Sequence, residues 1–203
     1  MLHIENDDVK KHILDGNFGL EKESLRILKD GTLSHSLHPF PDDKHIVKDF
    51  CENQTEINTS VHTSAKGAIR ELEFHNERIY ERLESLTERE YLWPFSNPPY
   101  IENESDIPVA VFRGIEVSKT AYREYLSAKY GRYKMTFSGI HVNYSFSEEL
   151  LEADFKYQKE TDYPEYKNRF YLELAQKMTA YGWLLVAVTA ASPLLDSSFV
   201  EKG

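Results

Sequence analysis

A single cysteine, Cys51, stands among 203 residues, so an internal disulfide and a disulfide-built scaffold are excluded. A reducing, cytoplasmic setting is the expectation that follows. No His–Cys signature lies nearby, and Cys51 reads as a small, inert, buried or half-buried thiol. Basic residues are also scarce. Lys and Arg number 24 against 34 Asp and Glu, a net charge of −10. That balance argues against a nucleic-acid partner held by a broad cationic surface, which needs clustered Lys and Arg. The N-terminal stretch MLHIENDDVKKHILDG has early acids and no apolar core, so it does not read as a secretory signal. Internal repeats and low-complexity tracts are missing. So are Walker, GxSxG, HExxH and GxGxxG motifs, and the mechanisms they carry receive no support.

One long uncharged run is present, the 18 residues MTAYGWLLVAVTAASPLL from Met178 to Leu195. A membrane span needs ~20 mainly apolar residues. This run holds Gly182, Thr189, Ser192 and Pro193 and follows an amphipathic helix. It is expected to be a buried core helix that ends before Pro193, with no membrane partner.

The apolar content is ample for a core: 40% hydrophobic residues, with 13 Tyr and 11 Phe. The length suits one domain over residues 1–203, or part of a larger one. A short helix is expected over 3–15, ended by Gly16. Residues 17–28 alternate as a strand, with Glu21, Glu23, Leu25 and Ile27 on one face and Lys22, Ser24 and Arg26 on the other. Lys29-Asp30-Gly31-Thr32 reads as a hairpin turn. A second β-like segment runs from about Ile46 to Ile57, where Glu52, Gln54 and Glu56 share a parity. Ala65, Ile69, Leu72, Ile79, Leu83 and Leu86 recur at helical spacing and predict a helix from about Thr63 to Leu92, stopped by Pro94. A shorter helix is predicted over Ser118–Tyr130 with Gly131 as its stop. Residues 134–146 read as a strand that sets His141 and Asn143 on one face. Residues 148–195 read as helical, with Pro164 near the start of the last long helix.

Glu21, Glu23, Asp49 and Glu56 are four acids on two short β-like segments, and His141 and Asn143 lie on a third. Magnesium takes oxygen ligands, few of them from protein, with phosphate and water completing the shell. Such a site suits ATP, and His141 can add a ring nitrogen. Zinc fits less well, because thiolates and tight His spacing are absent. Spacing alone reads Glu21 and Glu23 as acids on a solvated strand face, His141 as a satisfied polar residue, and Tyr122-Arg123 as ordinary amphipathic packing with a surface charge.

Six longer words shift that balance: FGLEKESLRI (18–27), DFCENQTEINT (49–59), YLWPFSNPPYI (91–101), YREYLSAKYG (122–131), SGIHVNYS (138–145) and ASPLLDSSF (191–199). In wording and order they resemble the bacterial glutamate–cysteine ligases, and most nearly the form fused to a glutathione synthetase module. The resemblance implies an α+β fold, an antiparallel sheet curved into a glutamine-synthetase-like funnel with helices outside. It implies ATP-dependent joining of the L-glutamate γ-carboxylate to the amine of L-cysteine through a γ-glutamyl phosphate, with Mg2+ (or Mn2+) as cofactor. On that basis Glu21, Glu23, Asp49, Glu56 and His141 are the expected metal residues, and Tyr122, Arg123 and Asn143 are expected at the substrate. The family's catalytic module is longer than this chain. The chain is therefore expected to be its N-terminal part, with a C-terminal remainder as partner. A non-catalytic fragment that binds ligand or partner only, or a related ligase with another amine acceptor, are the alternatives.

Overall fold

A computed structural model describes residues 2–190 and 195–202. The elements in chain order are α1 (Asp7–Lys11), β1 (Gly16–Ile27), β2 (Ile46–Lys48), β3 (Gln54–Asn58), α2 (Ala65–Glu84), β4 (Tyr91–Leu92), α3 (Val117–Tyr130), β5 (Ile140–Phe146), α4 (Glu148–Gln158), α5 (Tyr163–Thr189) and α6 (Ser197–Lys202). The strands form a sheet of order β2-β3-β1-β4, with β5 also on β1. Pairings β1–β3, β1–β4 and β2–β3 are antiparallel, so the fold is an antiparallel sheet with helices, as expected.

By its contacts the chain forms two compact units. One holds Met1–Phe18, Val61–Ala65 and Asn143–Ala190; the other holds Gly19–Ser60, Lys66–Val142 and Ala191–Gly203. In the first unit α1 packs on α4. Leu151, Tyr166 and Phe170 form its apolar centre. Asp154 is buried there and is satisfied by the His3 amide at 2.8 Å and the Tyr166 hydroxyl at 2.7 Å. Asp162 caps α5 by accepting from the Glu165 amide, and Pro164 sits in the first turn where its missing N–H costs nothing.

The second unit is built on the two faces of β1. Leu25 and Ile27 join Phe50, Cys51, Ile107 and Tyr133 in one cluster. Ile46 and Ile57 meet Ile79 and Leu83 of α2 in another, each such side chain worth roughly 1.5–3 kcal/mol when taken from water. The alternation read along β1 therefore has a clear outcome: its acidic face becomes apolar within four residues. On the other face Arg26 is wholly buried, 2.5 Å from Glu90.

Several expectations change in detail. The first helix is only Asp7–Lys11, capped by Asn6, and Gly16 opens β1 instead of closing that helix. The turn after β1 forms, with Gly31 at φ 88° and the Leu28 amide donating to Thr32 O at 2.9 Å, but only an isolated bridge, Ile27 to Leu33, follows it. The segment 46–57 is a hairpin of two strands and not one strand. Glu52 turns the chain between them, accepting from Lys48 Nζ and from the His38 and Val111 amides. Helix α2 stops at Glu84, well before Pro94, because residues 91–92 pair with β1 as β4. Residues 133–136 form a 3-10 turn, so β5 starts at Ile140.

The run from Met178 is not a buried core helix. Its helix ends at Thr189, and Trp183 and Val188 are 66% and 74% exposed. A sequence that is apolar all round has no face to bury by itself, and burial needs a partner surface. The buried residues of α5 are Tyr166 and Phe170, near its start. Ala191, Ser192, Pro193 and Leu194, part of one sequence word and of the expected helix stop, lie outside the described residues. Among the described residues no helix is long and apolar enough to cross a membrane.

Candidate functional site

The β1–β3 register sets Glu23 directly opposite Glu56, and Glu21 opposite Asn58. Residues directly opposite in an antiparallel pair project from the same face, so Glu21, Glu23 and Glu56 share one face. Like charges facing each other across a ladder are destabilising. The arrangement persists because backbone pairing and the apolar clusters fix the register.

Glu23 is held through both of its oxygens. Its Oε2 accepts from the Gly139 amide at 2.9 Å and lies 3.4 Å from Gln54 Nε2, and its Oε1 lies 3.4 Å from His141 Nε2. The Glu23 amide donates in turn to Gly139 O at 3.0 Å, which ties residue 139 to the middle of β1. A Cβ at Gly139 would meet His141 Nε2 at 3.0 Å, a contact that the exposed ring relieves by shifting a few tenths of an ångström. Burial raises the Glu23 carboxyl above the ordinary range; the Gly139 N–H opposes this, and Asp49 adds to it. Burial also pushes Glu56 up to about 7, reinforced by the negative charges of Asp49, Glu23 and Glu21. Four carboxylates therefore act on one another here. The His141 ring beside them is more than half exposed, and the Lys22 ammonium lies on the opposite face of β1, where it donates to Ser24 Oγ at 2.7 Å.

Asp49 comes from the turn after β2. Arg123 on α3 donates from Nε to Asp49 O at 2.6 Å and from Nη2 to Asp49 Oδ1 at 3.4 Å. Its Nη1 reaches Lys119 O at 3.2 Å, and the guanidinium lies over the Phe112 ring at 4.6 Å. Tyr122, next along α3, is exposed. Asn143 lies on β5 in the first unit, whereas the other seven expected site residues lie in the second. In the sequence Gln54 is distinguished only by sharing the parity of Glu56. Buried and bonded to Glu23 and to Phe137 O, it is a positioning residue whose signal was that shared parity. Gly139 and Phe112 act through backbone and ring contacts that no spacing announces. Cys51 is fully buried, and burial raises its thiol far above the ordinary range, which fits an inert residue.

Chemically, the acidic face of β1 and β3 is a set of hard oxygen donors with one imidazole beside it. Such donors are of the type that a divalent ion of the magnesium kind takes, although among the described residues no three of these groups place ligand atoms within 4.8 Å of one another.

Comparison with known proteins agrees with the six sequence words. The family described as glutamate-cysteine ligase matches residues 1–203. The glutathione biosynthesis bifunctional protein GshAB of Clostridium perfringens is 37% identical over 205 residues, covering 98% of this chain and 26% of the relative. The glutamate–cysteine ligase of Clostridium acetobutylicum is 34% identical, covering 98% of this chain and 42% of the relative. Among solved structures, a bifunctional glutathione synthetase from Pasteurella multocida superposes with a TM-score of 0.84 at 33% identity, over 94% of this chain and 25% of that one. A glutamate–cysteine ligase from Francisella tularensis, in complex with AMP, gives 0.75 at 28% identity, over 91% and 37%. The chain thus spans about a quarter of the bifunctional relatives' length and somewhat more of the shorter ligases. With the matched family extending over the whole sequence, this chain belongs to the glutamate–cysteine ligase family.

Proposed function

We propose that this chain supplies the metal-binding carboxylates of an ATP-dependent ligase that joins the γ-carboxylate of L-glutamate to the amine of L-cysteine. The observation that carries the reading is the placement of Glu23 opposite Glu56, with Glu21 and Asp49 near enough to raise Glu56. In the overall reaction ATP transfers its terminal phosphoryl group to the γ-carboxylate, giving ADP and γ-glutamyl phosphate. The amine nitrogen then attacks the acyl carbon, phosphate leaves, and γ-glutamylcysteine remains.

Glu21, Glu23, Asp49, Glu56 and His141 are the residues that would hold divalent ions, Mg2+ or in its place Mn2+. Bound there, such ions supply charge neutralisation for the phosphates of ATP and for the phosphoryl group in transit. Glu23 is preorganised by Gly139 and Gln54, so its oxygens need little reordering. Arg123 holds Asp49 through its backbone carbonyl, and its long 3.4 Å contact to Oδ1 is the one that a substrate carboxylate would replace. Tyr122 and Asn143 are the further substrate-side residues. A reducing, cytoplasmic location suits the lone buried thiol of Cys51.

The test is product formation. The chain is incubated with ATP, Mg2+, L-glutamate and L-cysteine, alone and with a polypeptide from a relative that covers the remaining length. Mass spectrometry is expected to find γ-glutamylcysteine in at least one mixture, dependent on ATP and lost in Glu23→Gln. No product in either mixture from folded proteins, or product unchanged in Glu23→Gln and Glu56→Gln, overturns the reading.

A further inference from the structure

Away from the acidic face of β1, a second cluster of metal-ligating side chains gathers between the edge of the sheet and helix α2. Glu71 and His75 are four residues apart on α2, so they lie on one helical face. His45 comes from the residue just before β2, the edge strand of the sheet. One nitrogen of each imidazole and one oxygen of Glu71 lie within 4.8 Å of one another. Both rings approach the same oxygen: His75 Nε2 is 3.4 Å and His45 Nδ1 is 3.8 Å from Glu71 Oε1. The two rings stand nearly parallel, centroids 5.0 Å apart and planes 17° apart.

We propose that His45, Glu71 and His75 form a binding site for a divalent transition-metal cation of the zinc type. The first argument is spacing. A tetrahedral ion with ligand bonds of ~2.0–2.1 Å separates its donors by roughly 3.3 Å. The observed 3.4 and 3.8 Å fall within a small adjustment of that value. The second argument is donor type. Two imidazoles and one carboxylate select zinc, cobalt or nickel over magnesium, which prefers an octahedron of oxygens. This separates the site from the all-carboxylate face of β1 and β3.

The third argument is support. Ser60 grips the Glu71 carboxylate from both sides, its amide on Oε2 and its hydroxyl on Oε1, each at 3.0 Å. Outer partners of that kind fix the orientation of a ligating group. His75 is buried, whereas the His45 side chain is 41% exposed, so an ion has a route in and a fourth position for water. Three protein ligands with one open position is the pattern of zinc sites that are not fully closed.

Proton positions follow from the present bonds. Arg78 Nη1 donates to His75 Nδ1 at 3.0 Å, so the neutral ring carries its proton on Nε2, facing Glu71. His45 Nδ1 lies 2.8 Å from Asn58 O and donates to it. For both rings to ligate as neutral imidazoles, each proton would sit on the far nitrogen of its own ring, Nδ1 of His75 and Nε2 of His45, and His45 would give up its bond to Asn58 O. Arg78 gives up His75 and keeps Asp43, which its Nη2 already holds at 2.5 Å. The ion clips the edge of the sheet to α2 and stabilises the chain that binds it.

The test uses the 203-residue chain freed of metal by a chelator. Co2+ is titrated in, and its visible ligand-field absorption is followed. The expected result is one saturable ion per chain with the intense bands of a tetrahedral site, displaced by Zn2+ and not by excess Mg2+. His45→Ala, at the partly exposed position, and Glu71→Gln are each expected to weaken binding at least ~10-fold while circular dichroism stays unchanged. His75→Ala is expected to abolish it; if that buried variant unfolds, the His45→Ala result decides. No saturable signal from folded wild type, or undiminished affinity in His45→Ala, overturns the proposal. Loss of the signal in His141→Ala alone places the ion at the carboxylate face and overturns it too.

Discussion

Arg26→Met is the substitution whose consequence is most fully determined by the structure. Arg26 is wholly buried on β1, three residues beyond Glu23. Its Nη1 donates to Glu90 Oε2 at 2.5 Å and to Ser36 Oγ at 2.7 Å, and its Nη2 donates to Ser36 O and Glu52 O at 3.1 and 3.0 Å. Its backbone is locked as well, with the Arg26 amide on Asn53 O and the Asn53 side chain on Arg26 O. Replacing the guanidinium by a thioether of similar reach leaves the Glu90 carboxylate buried with, among the described residues, only the Ser34 and Ser36 hydroxyls to answer it. Breaking one side of a buried ion pair costs about 3–5 kcal/mol, which is a third or more of the ~5–15 kcal/mol that holds a typical domain. The pair itself is worth much less, because burial opposes the charge on Arg26 while Glu90 and Glu52 favour it. Equilibrium unfolding in urea, followed by Trp fluorescence and circular dichroism, should therefore show a loss of about 3–5 kcal/mol for Arg26→Met. The double variant Arg26→Met/Glu90→Met should recover most of it. A single-variant loss under about 1 kcal/mol, or a double variant in which the two losses simply add, refutes the reasoning.

Two further changes test other parts of the structure. His38 is buried, with Nε2 on Ile46 O and Nδ1 without a partner among the described residues. Burial pulls its pKa down to about 4, with the Arg26 and Lys48 charges adding and the Ile46 carbonyl opposing. The folded value lies below the ordinary 6.5, so the stability it confers is full above pH 6.5 and is lost as pH falls toward 4. Wild type should lose about 2 kcal/mol more than His38→Gln between pH ~7.5 and ~5, and equal slopes in urea midpoint against pH contradict this. Gly131 closes α3 at φ 79° and ψ 155°, a region that side chains avoid, and a Cβ there would meet Glu104 Oε1 at 3.2 Å. Gly131→Ala should cost about 1–3 kcal/mol, and an unchanged melting temperature excludes that account of the turn.

What could be read from the sequence depended on whether the signal was local. The period-two pattern of residues 17–28 placed Glu21, Glu23, Leu25 and Ile27 on one face of β1, because a strand alternates whatever it pairs with. Gly131 marked the end of α3 for an equally local reason, its positive φ. The break inside 46–57 was hidden, since its turn carries neither Gly nor Pro and is made by Glu52 reaching His38, Lys48 and Val111. The early end of α2 was hidden too. Residues 85–92 keep an apolar content that suits either state, and pairing of Tyr91 and Leu92 with β1 decides it. Facing partners are a long-range property. No spacing reveals that Glu23 meets Glu56, that Arg123 braces Asp49, or that His45 reaches Glu71 and His75. The six sequence words supplied the candidates for the first of these clusters, and geometry supplied the last.

The central claim is that the acidic face of β1 and β3 binds a hard divalent cation. Mn2+ titration of the 203-residue chain, read by electron paramagnetic resonance with enough Zn2+ present to fill any imidazole site, tests it most directly. The account predicts saturable Mn2+ binding that Mg2+ displaces, weakened at least ~10-fold in Glu23→Gln and in Glu56→Gln with the fold intact. Free Mn2+ throughout the titration, or equal binding in wild type and both variants, contradicts it.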